Sequence, residues 1–229
     1  MVRVLTHLCC GPCGIMALRR LLAAGHEVTG FFFNPNIHPL AEYLRRREGA
    51  AAVCRRLRAP LLAADALPRW EQDWEEEGRA ALAAYPQPPE IAPCASPRTT
   101  RPPPSGSLPP AVDPRFWLRL MAGREAERCP LCQGIRLAVT VRIALKRGFE
   151  AFSSSLLYSR HQDHEGIRRT AESLAASSGL RFIYEDWRLF WQEGVDLSRA
   201  WGIYRQQYCG CLYSEYDRYA RDGGKAWGG

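Results

Sequence analysis

An open parallel α/β sheet carried by one domain is the fold class this sequence predicts. Short apolar runs of strand length alternate with amphipathic runs of helix length, the pattern of parallel strands joined by right-handed crossovers. A chain of 229 residues, 46% of them hydrophobic, suffices for one sizeable core. The first strand runs straight into a cysteine-bearing turn, as suits a sheet whose ligands collect at the carboxyl ends of its strands.

The elements follow in order. "VRVLTHL" has the content of a short buried strand, and "GIMALRRLLAAG" repeats apolar residues at helical spacing before ending on Gly25, a natural C-terminal cap. "EVTGFFFN" reads as a second buried strand, "PLAEYLRRREGAAAVCRRLR" as a long amphipathic helix and "APLLAA" as a third strand. From Tyr85 to Pro114 the period breaks in a stretch dense in proline and serine, which reads as a flexible insertion within a domain spanning residues 1–221. Beyond it come "RFWLRLM", the helix "CPLCQGIRLAVTVRIALKRG", the strand "FEAFSSSLL", the helix "HEGIRRTAESLAASSG" and a final strand "LRFIYEDW". The glycine-ended tail, residues 222–229, is expected to be disordered.

No run has the form of a signal peptide or the length of a membrane span, so a cytoplasmic protein with no membrane partner is expected. Nine cysteines in such a chain argue against a disulfide scaffold and for metal binding or redox catalysis. Seven of them form three tight groups: Cys9, Cys10 and Cys13 in "CCGPC", Cys129 and Cys132 in "CPLC", and Cys209 and Cys211 in "CGC". The C-x-x-C pair opens a helix, whose amides and dipole stabilise thiolates. Four thiolates suit zinc or a 4Fe-4S cluster equally well, but a closed zinc site leaves a surplus. Two thiols one residue apart can close a strained, oxidising disulfide of the catalytic kind, or serve as further metal ligands. Cys54 reads as a small buried hydrophobe and Cys94 as incidental.

The net charge of +7 favours polyanionic partners such as nucleic acid, although it is almost wholly arginine and also fits a bias in composition. "NPNIHP" supplies Asn34, Asn36 and His38 as candidate substrate contacts, and is equally a rigid capped turn. Tyr43 and Arg47, one helical turn apart, could meet a base or a phosphate, while the arginine run at 45–47 also fits a solvated face. Tyr204, Arg205, Gln206 and Tyr208 beside the C-G-C pair could stack on and hydrogen-bond an extruded base, or simply pack around the site. His161 and His164 are candidate proton donors. "WEQDWEEE" reads as an acidic solvated helix face.

Five stretches together resemble one family, the cobalamin-independent epoxyqueuosine reductases of the QueH type: "HLCCGPC", "FFFNPNIHPLAEYLRRR", "RCPLCQGIRL", "FSSSLLYSRHQDHEGI" and "GIYRQQYCGCLYS". The resemblance implies a Rossmann-like three-layer fold akin to the nucleotide α-hydrolase superfamily, with a metal site at the carboxyl ends of the strands. It implies reduction of epoxyqueuosine in the tRNA anticodon to queuosine, with release of water and no cobalamin. The implied 4Fe-4S ligands are Cys9, Cys10, Cys129 and Cys132. Cys209 and Cys211 become a redox-active pair, and Cys13 a candidate ligand to an additional mononuclear iron. The implied partners are tRNA carrying epoxyqueuosine and an electron donor that the sequence leaves open. Two departures stand out: the proline-rich connection is longer than the family's, and "SRHQ" replaces a Ser-Pro-Tyr-Gln-like sequence. A zinc-stapled tRNA-binding module and a generic thiol-disulfide oxidoreductase are the alternatives.

Overall fold

The computed structural model describes residues 1–64, 80 and 114–220. Five strands, β1 (Arg3–His7), β2 (Glu27–Phe32), β3 (Leu61–Ala63), β4 (Ala151–Ser154) and β5 (Arg181–Phe182), form one all-parallel sheet in the order β3-β2-β1-β4-β5. The expected open α/β fold is therefore present. The chain first winds outward from β1 through β2 to β3, then returns to the other side of β1 for β4. Crossovers therefore diverge between β1 and β4, and a crevice opens at their carboxyl ends. The register sets His7 beside Phe31 on one side and Ser154 on the other, so the residues after His7 and after Ser154 meet at that crevice.

Helices cover the sheet in two groups. α1 (Gly11–Ala23) packs against α2 (Leu40–Leu57) and α6 (Trp191–Ala200), while α4 (Arg128–Lys146) packs against α5 (His164–Ser178). α3 (Pro114–Met121) and α7 (Leu212–Ala220) complete the set. Phe31, Phe32, Phe33 and Phe152 are fully buried, as the near-continuous apolar strands of a two-sided parallel sheet require. Gly25 closes α1 as expected, with φ +79° and its N–H donated to the Leu22 carbonyl at 3.0 Å.

The first turn of α1 lies hard against α2. A Cβ on Gly11 would stand 2.7 Å from the Gly49 carbonyl oxygen and 2.7 Å from a methyl of Ile203. Gly11→Ala is accordingly expected to destabilise the fold by about 1–3 kcal/mol, measured by denaturant unfolding, because backbone cannot yield as a side chain can.

Two strands are shorter than the sequence suggests. β4 stops at Ser154, whose hydroxyl accepts the Leu156 N–H at 3.2 Å and starts a single 3-10 turn over Ser155–Tyr158. β5 stops at Phe182, and Asp186 caps a second such turn over Trp187–Phe190 by accepting the Arg188 N–H at 3.1 Å. α6 and α7 have no counterpart in the periodicity. The buried residues of α6 are Gly194, Val195 and Ser198, and α7 buries none, so neither shows a broad apolar stripe. Pro114 opens α3. The rest of the proline-rich insertion, the acidic run at 70–77, Cys94 and the tail lie outside the described residues.

Candidate functional site

Cys9 and Cys10 follow β1 directly. Cys10 is the N-cap of α1, its Sγ accepting the Cys13 N–H at 3.4 Å, which turns three thiols toward one point. The Sγ atoms of Cys9, Cys10 and Cys13 all lie within 4.8 Å of one another. From the crevice side, Ser155 accepts the Cys9 N–H at 3.0 Å, and its hydroxyl stands 3.4 Å from Cys9 Sγ. Gln206 closes the other side, its Nε2 donating to Cys10 Sγ at 2.9 Å and approaching Cys13 Sγ at 3.6 Å.

A cleft of about 830 Å³ extends from this trio and is lined by Cys9, Cys13, Cys129, Cys132, Cys209 and Cys211. All three cysteine groups of the sequence thus meet in one place. Cys129 and Cys132 lie in the first turns of α4 and fall outside the tight trio. Cys211 directly precedes α7, and its Sγ accepts the Ser214 N–H at 3.4 Å. The eight cysteines among the described residues are all free thiols. Cys54 is buried in α2, where loss of hydration pushes its thiol up to about 12, as fits a small hydrophobe.

Within the trio, hydrogen bonds from the Cys10 and Cys13 thiols hold Cys9 well below the ordinary thiol range, against the opposing effect of burial. Burial raises Cys10, and Cys13 is raised because it donates to both neighbours. Only one thiol of the three ionises readily, since a second thiolate would meet the first in a desolvated space. A cation would relieve that conflict and allow all three to bind as thiolates. Burial also raises Cys132 and pushes Cys209 up to about 12. Cys209 is exposed as a residue, but its sulfur faces the cleft, 3.9 Å from Gln162 Nε2. Clustered, reduced, soft donors fit zinc or an iron–sulfur group.

Two arginines and a histidine organise this chemistry, among them Arg46, which is buried rather than part of a solvated 45–47 face. Arg46, 2% exposed, donates to Glu42 at 2.6 Å and to the carbonyls of Cys209 at 2.8 Å and Tyr208 at 3.0 Å. It therefore grips the backbone on which the C-G-C pair turns. Gly210 in that turn has φ +123°, and a Cβ there would stand 3.0 Å from Arg46 Nη1. Arg136, also 2% exposed, reaches Asn34 Oδ1 at 2.8 Å, His7 Nε2 at 3.4 Å and Cys132 Sγ at 3.9 Å. His7 is fully buried, 3.0 Å from Ser154 Oγ and 3.1 Å from the Phe33 carbonyl; burial and then Arg136 push it down to about 3, so it is neutral.

The remaining candidates divide by position. Asn34 is fully buried, its Nδ2 donating to the Leu8 carbonyl at 2.9 Å while its Oδ1 takes Arg136. Asn36 lines the cleft, and its buried Oδ1 has no hydrogen-bond partner. His38 pairs Nδ1 with the Asn36 carbonyl at 2.8 Å, has an unpartnered Nε2, and lies 5.7 Å from the Trp117 ring. Tyr43 is buried edge-on to Phe32, 5.4 Å between centroids, inside the core rather than on an open face. Arg47 is half-buried on the same helix. Tyr204 donates to Glu42 Oε2 at 2.5 Å, Arg205 is half-buried, and Tyr208 donates to the His38 carbonyl at 2.6 Å. His161 lines the cleft, whereas His164 turns to the Tyr184 hydroxyl at 3.2 Å. No helix among the described residues is long and apolar enough to cross a membrane.

The family described as Epoxyqueuosine reductase QueH matches residues 4–84 and 109–217, leaving out 85–108 within the proline-rich stretch. Proteins named Epoxyqueuosine reductase QueH are similar over almost the whole chain. The one from Dehalococcoides mccartyi is 28% identical over 219 residues, 96% of each chain. That of Thermotoga maritima is 29% identical over 217 residues, 94% of this chain and 91% of its own. That of Haemophilus influenzae is 29% identical over 227 residues, covering 94% and 72% respectively. With both matched segments spanning the cysteine groups that line the cleft, the chain belongs to the epoxyqueuosine reductase QueH family.

Proposed function

We propose that this protein reduces epoxyqueuosine in the tRNA anticodon to queuosine, the last step of queuosine formation. The observation that carries the reading is the convergence of three sequence-distant cysteine groups on one cleft at the carboxyl ends of β1 and β4, in a chain of this family. Removal of the epoxide oxygen takes two electrons and two protons and leaves an alkene and water. The Cys209–Cys211 dithiol can furnish both when it closes to a disulfide, which a second reductant must then reopen.

Cys9, Cys10, Cys129 and Cys132 are the ligands proposed for a 4Fe-4S cluster, with Cys13 able to hold an additional iron. Bound there, such a group would supply single-electron transfer and Lewis acidity toward the epoxide oxygen. The chain's own residues do the rest. Gln206 and Ser155 orient the trio's sulfurs, and Arg46 fixes the dithiol turn. Asn36 lines the cleft, and its unpartnered Oδ1 is an acceptor for a heterocycle's N–H group. His161 is the cleft-lining candidate for protonating the departing oxygen. A positively charged chain suits a tRNA partner, and a tRNA substrate requires access to the cytoplasm.

Anaerobic incubation of reconstituted protein and reductant with tRNA carrying epoxyqueuosine, followed by nucleoside mass spectrometry, tests the reading. The expected product is lighter by one oxygen atom. Unchanged nucleoside from protein loaded with iron and sulfide would refute it. Zinc without iron in anaerobically purified protein would favour a structural metal instead.

A further inference from the structure

Resting on the iron–sulfur reading, we propose that Arg136 is the fixed counter-charge of the anionic group bound in the cleft, a positioning residue that sets its reduction potential and its retention. Three arginines are buried among the described residues: Arg46, Arg124 and Arg136. Arg46 has the Glu42 carboxylate at 2.6 Å and Arg124 has Glu127 at 3.7 Å. Arg136 has no carboxylate partner among the described residues. Its partners are the amide oxygen of Asn34, the ring of His7 and the sulfur of Cys132, and neither asparagine nor histidine can carry negative charge.

A guanidinium does not shed its proton, so a buried one must find an anion. The groups able to become anionic around Arg136 are thiols. Cys132 Sγ stands 3.9 Å from its guanidinium, and Cys9 and Cys209 line the same cleft as Arg136. These sulfurs come from all three cysteine groups, so Arg136 stands where their charges would sum. Four thiolates on a 4Fe-4S core leave a net negative group, and reduction adds one more negative charge. A fixed cation beside that group favours the reduced state and opposes loss of the metal. Gln206, which donates to Cys10 and Cys13, is neutral and supplies no such charge.

The test compares wild-type protein with Arg136→Lys, Arg136→Gln and Arg136→Met after anaerobic reconstitution. Iron and sulfide content, midpoint potential by EPR-monitored titration, the rate of iron loss to a chelator, and the thermal midpoint are measured for each. The two neutral replacements differ in shape, so a folding failure of one leaves the other. The expected result is a more negative midpoint potential and roughly tenfold or more faster iron loss in both neutral variants, with Arg136→Lys close to wild type. Unchanged potential and retention in the neutral variants would overturn the counter-charge. So would an Arg136→Lys shift as large as that of Arg136→Gln, which would assign the effect to the guanidinium's fork rather than its charge. A wild type that takes up no iron and sulfide overturns the cluster reading and this one with it; a loaded wild type with unshifted variants overturns this one alone.

Discussion

Cys209→Ser and Cys211→Ser are each expected to lower epoxide reduction by at least about a thousandfold, since neither half of a dithiol delivers two electrons by itself. Iron and sulfide content should stay at the wild-type level in both. The second half of that expectation separates a redox pair from a pair of metal ligands, because a ligand's loss empties the site. Gly210 lets the backbone reverse between the two sulfurs, and Arg46 holds the Tyr208 and Cys209 carbonyls so that the turn has one fixed shape. Cys211 Sγ accepts the Ser214 N–H at 3.4 Å, which holds that sulfur at the first turn of α7. Iron falling in parallel with activity in either variant would reassign these cysteines to metal binding.

Arg46→Met is expected to destabilise the protein by about 3–5 kcal/mol, because it leaves the Glu42 carboxylate buried and uncompensated. The cost extends beyond one ion pair. Glu42 also accepts the Tyr204 hydroxyl, and the two carbonyls released by Arg46 belong to the turn that carries Cys209. Denaturant unfolding measures the loss, and the double variant Glu42→Gln with Arg46→Met should recover part of it by removing the stranded charge. Activity should stay low in the double variant, since nothing then grips the turn. An undiminished unfolding free energy in Arg46→Met would show that solvent reaches the pair and that the anchor lies elsewhere.

Much of this site is legible in the sequence alone. Strand and helix periods placed Cys9, Cys10, Cys129 and Cys132 at element junctions because apolar patterning is strong on both sides of them. The spacing of the C-G-C pair singled it out although α7, the helix it precedes, has no buried residue to announce itself. What stayed hidden were polar residues at core positions. Arg46 sat in the middle of "RRR", which reads as a wet surface, yet helical phase turns the middle arginine inward while Arg45 stays exposed. Arg136 and His7 look like ordinary members of a helix and a strand, and only the fold brings them to Asn34 and Cys132. Tyr43 went the other way, its place on the α2 face that meets Phe32 making it a core residue.

The position of α7 gives the site an uneven temperament. Cys9 and Cys10 issue from the central strand of the sheet and are fastened by Ser155 of the neighbouring crossover, so they open only when the sheet does. Cys209 and Cys211 belong to a segment held by the core through Cys211 and Ile203 and by Arg46, His38 and Tyr208, with a helix behind it that buries no residue. The first pair of sulfurs is thus fixed by the sheet itself, the second by side chains reaching across from α2 and from the turn at His38. Gln206, three residues before Cys209, ties the two sets together, so a shift of the C-G-C turn reaches the trio through its bonds to Cys10 and Cys13.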